Sequence, residues 1–172
     1  RVCSDSLGVK ALRYIPATAH LVVHDDFRAL GMRRVTVVET GVTGQTGIES
    51  ASQVRLIADG VGADFIIAID SLACAEPQRL CRSVQLTDTG IAPGSGVGND
   101  RNEISAAAVG KKVIAIGVPT VIDYDAGETG KMMVTPRNID VLTADFARNI
   151  GTAVSLALNP NLTENEIMSL IV

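Results

Sequence analysis

The chain has 172 residues, a formal net charge of -4, 47% hydrophobic residues, only 3% aromatics and no Trp. Its length suits one domain with a sizeable core built from Val, Ile, Leu and Ala. No Lys/Arg run marks a nucleic-acid surface, no apolar run approaches the ~20 residues of a membrane span, and no signal peptide stands at the start. Three cysteines, Cys3, Cys74 and Cys81, are an odd number without metal-ligand pairing and read as reduced thiols of a cytoplasmic protein.

A first helix is expected after Arg1–Gly8, with Ser4 or Asp5 as N-cap and Leu7, Ala11, Leu12 and Ile15 on its buried side. No strand precedes it, which is unusual for an α/β domain and points to a strand missing from this chain, the alternative being a sheet with one strand fewer. The apolar run 20–24 has no clear state, whereas Val35–Glu39 reads as a strand. Gly41, Gly44 and Gly47 then shape a tight loop. Thr46-x-x-Glu49 has capping-box spacing and opens a helix to about Gly60, burying Ile48, Val54, Ile57 and Ala58.

The run Asp64-Phe-Ile-Ile-Ala-Ile-Asp70 organises the rest. Five consecutive apolar residues predict a strand buried on both faces. Asp70 is placed at its carboxyl end, where open α/β sheets hold their ligands. A helix around Ala75–Cys81, packing both thiols, and a strand at Ser83–Thr87 follow. Residues 88–105 hold four glycines and Pro93 in a shaped loop anchored by Ile91 and Val97. A strand at Val113–Val118 is ended by Pro119, and a polar connection runs from Asp123 to Lys131. Thr135 as N-cap and Pro136 at N1 open a helix to about Leu158, with Ile139, Leu142, Phe146, Ile150, Val154 and Ala157 at helical spacing. Thr163-x-x-Glu166 is a second capping box. The pattern is that of a single α/β domain, 1–172, with a mostly parallel, doubly wound sheet.

Three groups of residues could carry chemistry. Gly94-x-Gly96-x-Gly98 is neither a dinucleotide fingerprint nor a P-loop and reads as structural. His20 and His24 are the only histidines. They lie outside any His-Glu-x-x-His motif and nothing brings them to a strand end, so zinc binding and a nucleophile triad are disfavoured. The third group is Asp5 and Asp70, whose loops could both lie at the carboxyl edge of a doubly wound sheet. Two facing carboxylates sharing a proton divide into an acid and a base that activate water against an amide carbonyl. The competing reading makes each a helix cap.

Several stretches resemble the germination protease family of spore-forming bacteria. Gly44-Gln-Thr-Gly-Ile-Glu49 resembles its Thr-Gly-Ile-Glu-Thr loop, and Asp64–Ala73 resembles its Asp-Phe-Val-Ile-Ala-Ile-Asp-Ala-Leu-Ala strand. Val84–Asn99 is the most specific match, and Ile114–Asp123 and Met133–Asp140 complete the set. The resemblance implies an atypical aspartic endopeptidase acting on small acid-soluble spore proteins during germination. No cofactor or metal is expected, and composition points to no direct binding of nucleic acid or membrane. A cytoplasmic zymogen of the forespore or spore core, assembled as a homotetramer, is implied as well.

Cys3-Ser-Asp-Ser-Leu-Gly-Val9 resembles the family's Thr-Pro-Asp-Ala-Leu-Gly-Pro motif, which makes Asp5 and Asp70 the catalytic pair by resemblance. Against the family, the chain lacks a strand before Asp5 and a long insertion near 123–132. The implied fold is a three-layer α/β/α sandwich similar to that of the hydrogenase maturation proteases. Two alternatives stand beside the protease reading: a non-catalytic relative serving as a peptide-binding or assembly subunit, and a nickel-reading maturation protease.

Overall fold

The structure, a computed structural model, describes residues 5–41, 43–94, 101–125 and 131–171. Cys3, Ser4, Gly96, Val97 and Gly98, for which the sequence raised expectations, lie outside them. The framework is a pair of parallel strands, β1 (Phe65–Cys74) and β3 (Lys112–Asp125), in register from Phe65↔Lys112 to Cys74↔Ile122. Two short strands, β2 (Gln85–Thr87) and β4 (Lys131–Val134), add to β3 antiparallel. The sheet is thus mixed, with its longest ladder parallel.

Alternation along the strands divides the core into two layers. Ile67 and Ile69 of β1 and Ile116 and Val118 of β3 pack with α1 (Leu7–Leu12) and α6 (Ile139–Leu158). Ile66 and Ala68, with Val113 and Ala115, pack on the other face with α4 (Ser50–Val61) and α5 (Ala106–Val109). Helices therefore cover both faces, as expected for a three-layer sandwich. Three shorter helices complete the described chain: α2 (Asp25–Ala29), α3 (Thr43–Thr46) and α7 (Glu164–Ser169).

The long helix α6 is where predicted, but its buried face is rotated. Thr143, Ala147, Gly151 and Ser155 are buried alongside Ile139, Ile150 and Val154, while Ala157 is exposed. Small residues face α1 because the two helices touch. A Cβ on Gly151 would stand 2.6 Å from the Ala11 carbonyl oxygen, and Ser155 Oγ donates to the Tyr14 carbonyl at 2.7 Å. Lys10 of α1 reaches the first turn of α6, donating to Thr143 Oγ1 at 2.9 Å and Asp140 Oδ1 at 3.2 Å.

Several expectations are corrected. β1 continues past Asp70 to Cys74 because β3 continues beside it, so Asp70 is inside the strand. No helix follows: Pro77–Arg79 form a single 3₁₀ turn, which leaves Cys74 on the strand and Cys81 beyond the turn. Pro119 does not end β3. It pairs with Leu72, and the register shift between Leu72 and Ala73 makes Thr120 an extra residue, a bulge of the kind that admits proline. β1 is half-buried over most of its length rather than buried on both faces, since one of its edges is unpaired among the described residues. Val35–Glu39 joins no ladder and faces that edge across a cavity.

Capping divides similarly. Thr163 and Glu166 form the expected box, with the Thr163 N–H donating to Glu166 Oε2 at 2.7 Å. Thr46 and Glu49 do not: α4 opens at Ser50, Thr46 Oγ1 accepts from the Ile48 N–H, and Ile48 is exposed. The first cap is Ser6 rather than Ser4 or Asp5, and α6 opens at Ile139 after Asn138. Thr135 instead donates to the Thr120 carbonyl at 2.7 Å, tying the end of β4 to the β3 bulge.

Candidate active site

Asp70 and Asp5 line one cavity of about 350 Å³ beside the unpaired edge of β1. β1 supplies Asp70 on the parity of Ile66 and Ala68, and Gly117 is its partner across the ladder. Asp5 stands just before α1, and Gly8 sets how close that helix comes: its Cα faces the Ile69 carbonyl without room for a side chain. One residue beyond Ile69 is Asp70, so a glycine in α1 and a carbonyl in β1 bring the two acids together.

Burial shapes their protonation. The Asp70 carboxyl is pushed up to about 6, chiefly by desolvation and then by the Asp5 charge; the Ser71 N–H, donating to Oδ1 at 2.8 Å, and Arg101 oppose the rise. The Asp5 carboxyl is also raised by burial, with Arg101 opposing it, although the residue as a whole keeps an exposed side. Two carboxyls with raised affinities, one feeling the other, hold one proton between them over a range of pH. That is the condition for one to act as acid while the other acts as base.

The rest of the cavity wall is mostly uncharged, with Val9, Val38, Gln45, Ser50, Ile91 and Pro93 among its members, and Glu39 and Arg101 are its other charged residues among those described. His20 and His24 do not line it. Neither aspartate is a helix N-cap: Ser6 caps α1, and Asp70 is followed by strand.

Sequence reasoning missed Arg101. It follows the glycine-rich stretch in sequence and is the single cation among the described lining residues of the cavity. Three residues on, Ile104 and Ile91 exchange backbone hydrogen bonds of 2.8 and 3.0 Å and are both buried. Gly90, at φ +111°, lies where a Cβ would stand 2.5 Å from the Ile104 carbonyl oxygen. The available signal was an arginine just ahead of an apolar anchor that closes a glycine loop.

Fold and site together describe an α/β protein with an acid pair set at the edge of its sheet. The germination protease family model matches residues 1–129, and the chain belongs to that family. It is 34% identical to a germination protease of Caldanaerobacter subterraneus subsp. tengcongensis over 215 aligned positions, covering 99% of this chain and 66% of the relative. Against one from Clostridium perfringens the identity is 30%, covering 96% and 65%. Against one from Priestia megaterium it is 40%, covering 87% and 39%. The chain thus spans about two thirds or less of these relatives' own lengths.

Proposed function

We propose that the protein is an endopeptidase in which Asp5 and Asp70 activate water against a peptide carbonyl. The observation that carries this reading is the shared cavity with two carboxyls of raised proton affinity. Asp70, the more deeply set, holds the shared proton, and Asp5 is the base. Asp5 takes a proton from water as the water oxygen attacks the carbonyl carbon, and Asp70 gives its proton to the carbonyl oxygen. Collapse of the tetrahedral intermediate breaks the C–N bond. The amine leaves with the proton held by Asp5, and Asp70 recovers one from the intermediate's hydroxyl.

The proposed substrates are small acid-soluble spore proteins, cut in the spore core at germination, a reading that the family resemblance supports. The zymogen state and the homotetramer belong to the same reading. Among the described residues no helix is long and apolar enough to cross a membrane.

The domain, on this reading, has one more strand position. A second, apolar cavity of about 460 Å³ runs between residues 33–38 and Phe65–Ile69, roofed by Val54, Ile57 and Ala58 and floored by Leu12, Ile15 and Val154. It shares Leu12, Val38, Val54, Ile66, Ile67 and Ile69 with the acidic cavity. Two extended segments with helices above and below leave the space of one strand, which supports the absent first strand. An insertion absent from this chain is supported by the 215 positions aligned with a chain of 172.

Cleavage of a purified small acid-soluble spore protein tests the function. The longer protein and this chain are run in parallel, each with its Asp5→Asn and Asp70→Asn variants. Wild type is expected to cut and both variants to be silent while still folded. Cutting by either variant at the wild-type rate would overturn the mechanism. Silence of the longer wild type, after removal of any propeptide, would favour a peptide-binding relative.

A further inference from the structure

We infer that Arg101 is a positioning residue: its fixed positive charge keeps the Asp5–Asp70 pair from becoming doubly protonated in the resting site, so that a base is present beside the acid. The inference rests on the aspartate reading above and adds to it the residue that sets the protonation state.

Two carboxylates in one desolvated cavity repel, and burial disfavours both charges, so without help the pair drifts toward the doubly protonated, baseless form. A single cation in the same cavity favours the monoanion over the doubly protonated form, and in that state the charges of the three groups sum to zero. Arg101 is suited to this because a guanidinium stays charged throughout. Three residues further on, the backbone is tied by the Ile91–Ile104 hydrogen bonds.

Other charges around the cavity do not substitute for it. Glu39, on the segment beside β1, is the remaining ionisable group among the described lining residues and carries the wrong sign. Lys10 of α1 is held by Asp140 and Thr143. Arg34 donates to the Val61 carbonyl at 3.2 Å, and Asp59 of α4 pairs with Lys111 at 3.7 Å. Arg33, Arg55, Asp64 and Glu103, on the same segments, are outside the lining. Arg101 also lowers the proton affinity of both aspartates, the sign required of it.

The test is a carboxyl-carbon NMR titration of Asp5 and Asp70 in wild type, Arg101→Met and Arg101→Lys, with the pH profile of peptide cleavage read alongside. Removing the charge is expected to raise the pair's titration steps by about one pH unit or more. The acid limb of kcat/KM should move up equally, and lysine should restore most of both. Should the Arg101→Met protein fail to fold, Arg101→Gln carries the same comparison. Titration steps unchanged in a folded, charge-free variant would overturn the inference, as would failure of lysine to restore them. The titration needs no turnover, so it decides the role of Arg101 even if the aspartates prove not to cut peptide bonds.

Discussion

Gly8 and Ile69 are in backbone contact: a Cβ placed on Gly8 would stand 2.6 Å from the Ile69 carbonyl oxygen. Three residues before Gly8 is Asp5, and one residue after Ile69 is Asp70. The contact therefore fixes the separation of the two acids as well as the docking of α1 on β1. Gly8→Ala gains about 1 kcal/mol of helix propensity but forces the helix off the strand, and overpacking of this kind costs about 1–3 kcal/mol. The expected net result is a lower urea midpoint and a loss of cleavage of tenfold or more, since small misplacements of reacting groups are costly. Wild-type turnover in the Gly8→Ala protein would show that the contact does not set the pair.

Asp70 is held at a cost to the fold. Its carboxyl titrates near 6 in the folded state, against about 3.9 in an unfolded chain. Between those values the folded state binds more protons at Asp70, so this group's contribution to stability is most favourable below about pH 4 and falls as pH rises through about 6. The loss attributable to this group is up to about 3 kcal/mol. Asp70→Asn keeps an acceptor for the Ser71 N–H and removes the buried charge. It is expected to be inactive yet more stable at pH 7–8, with a flatter pH dependence of the urea midpoint between 4 and 6. A variant less stable than wild type at pH 7–8 would contradict this account.

Lys10 ties the helix that follows Asp5 to α6. Its ammonium bridges Asp140 and the buried Thr143 hydroxyl, which itself donates to the Ile139 carbonyl at 2.8 Å. Lys10→Met keeps the apolar stem and removes the bonds. Because Asp140 is nearly half exposed, the ion pair contributes little and is screened by salt. The expected loss is about 1 kcal/mol, most of it from the bond to Thr143. Chemical denaturation at low and high salt checks both points: the loss should persist at high salt.

Thr120, the extra residue of the β3 bulge, is 1% exposed, and its hydroxyl has no partner among the described residues. Its carbonyl, not its side chain, receives Thr135. Thr120→Val replaces an unsatisfied hydroxyl with a methyl of similar size. It should be neutral or stabilising by about 1 kcal/mol and leave cleavage unchanged. A clear drop in the thermal midpoint would mean that the hydroxyl is bonded after all.

Much was legible in the sequence because it is local. The apolar run before Asp70, the 3.6-residue periodicity of α6 and the Thr163–Glu166 box each depend on residues within a turn or two of one another. Helices on both faces of the sheet could be anticipated from apolar runs without aromatic bulk. Asp5 and Asp70 were singled out by strand-end logic and by resemblance; the structure puts them in one cavity but removes the strand end. What continued β1 past Asp70 and carried β3 through Pro119 was the neighbouring strand, whose hydrogen bonds override local boundary signals.

The sequence by itself determined which segments could be helix or strand, which residues could bear chemistry, and the family to which they are similar. Only the tertiary structure decided that α6 turns its small residues toward α1, that Gly8 sets α1 on Ile69, and that Arg101 joins the acids from a loop far along the chain from both. The physical reason is that close approach and charge depend on distance in space. Proton affinity in particular depends on burial and neighbouring charge, and neither is written in the order of residues along the chain.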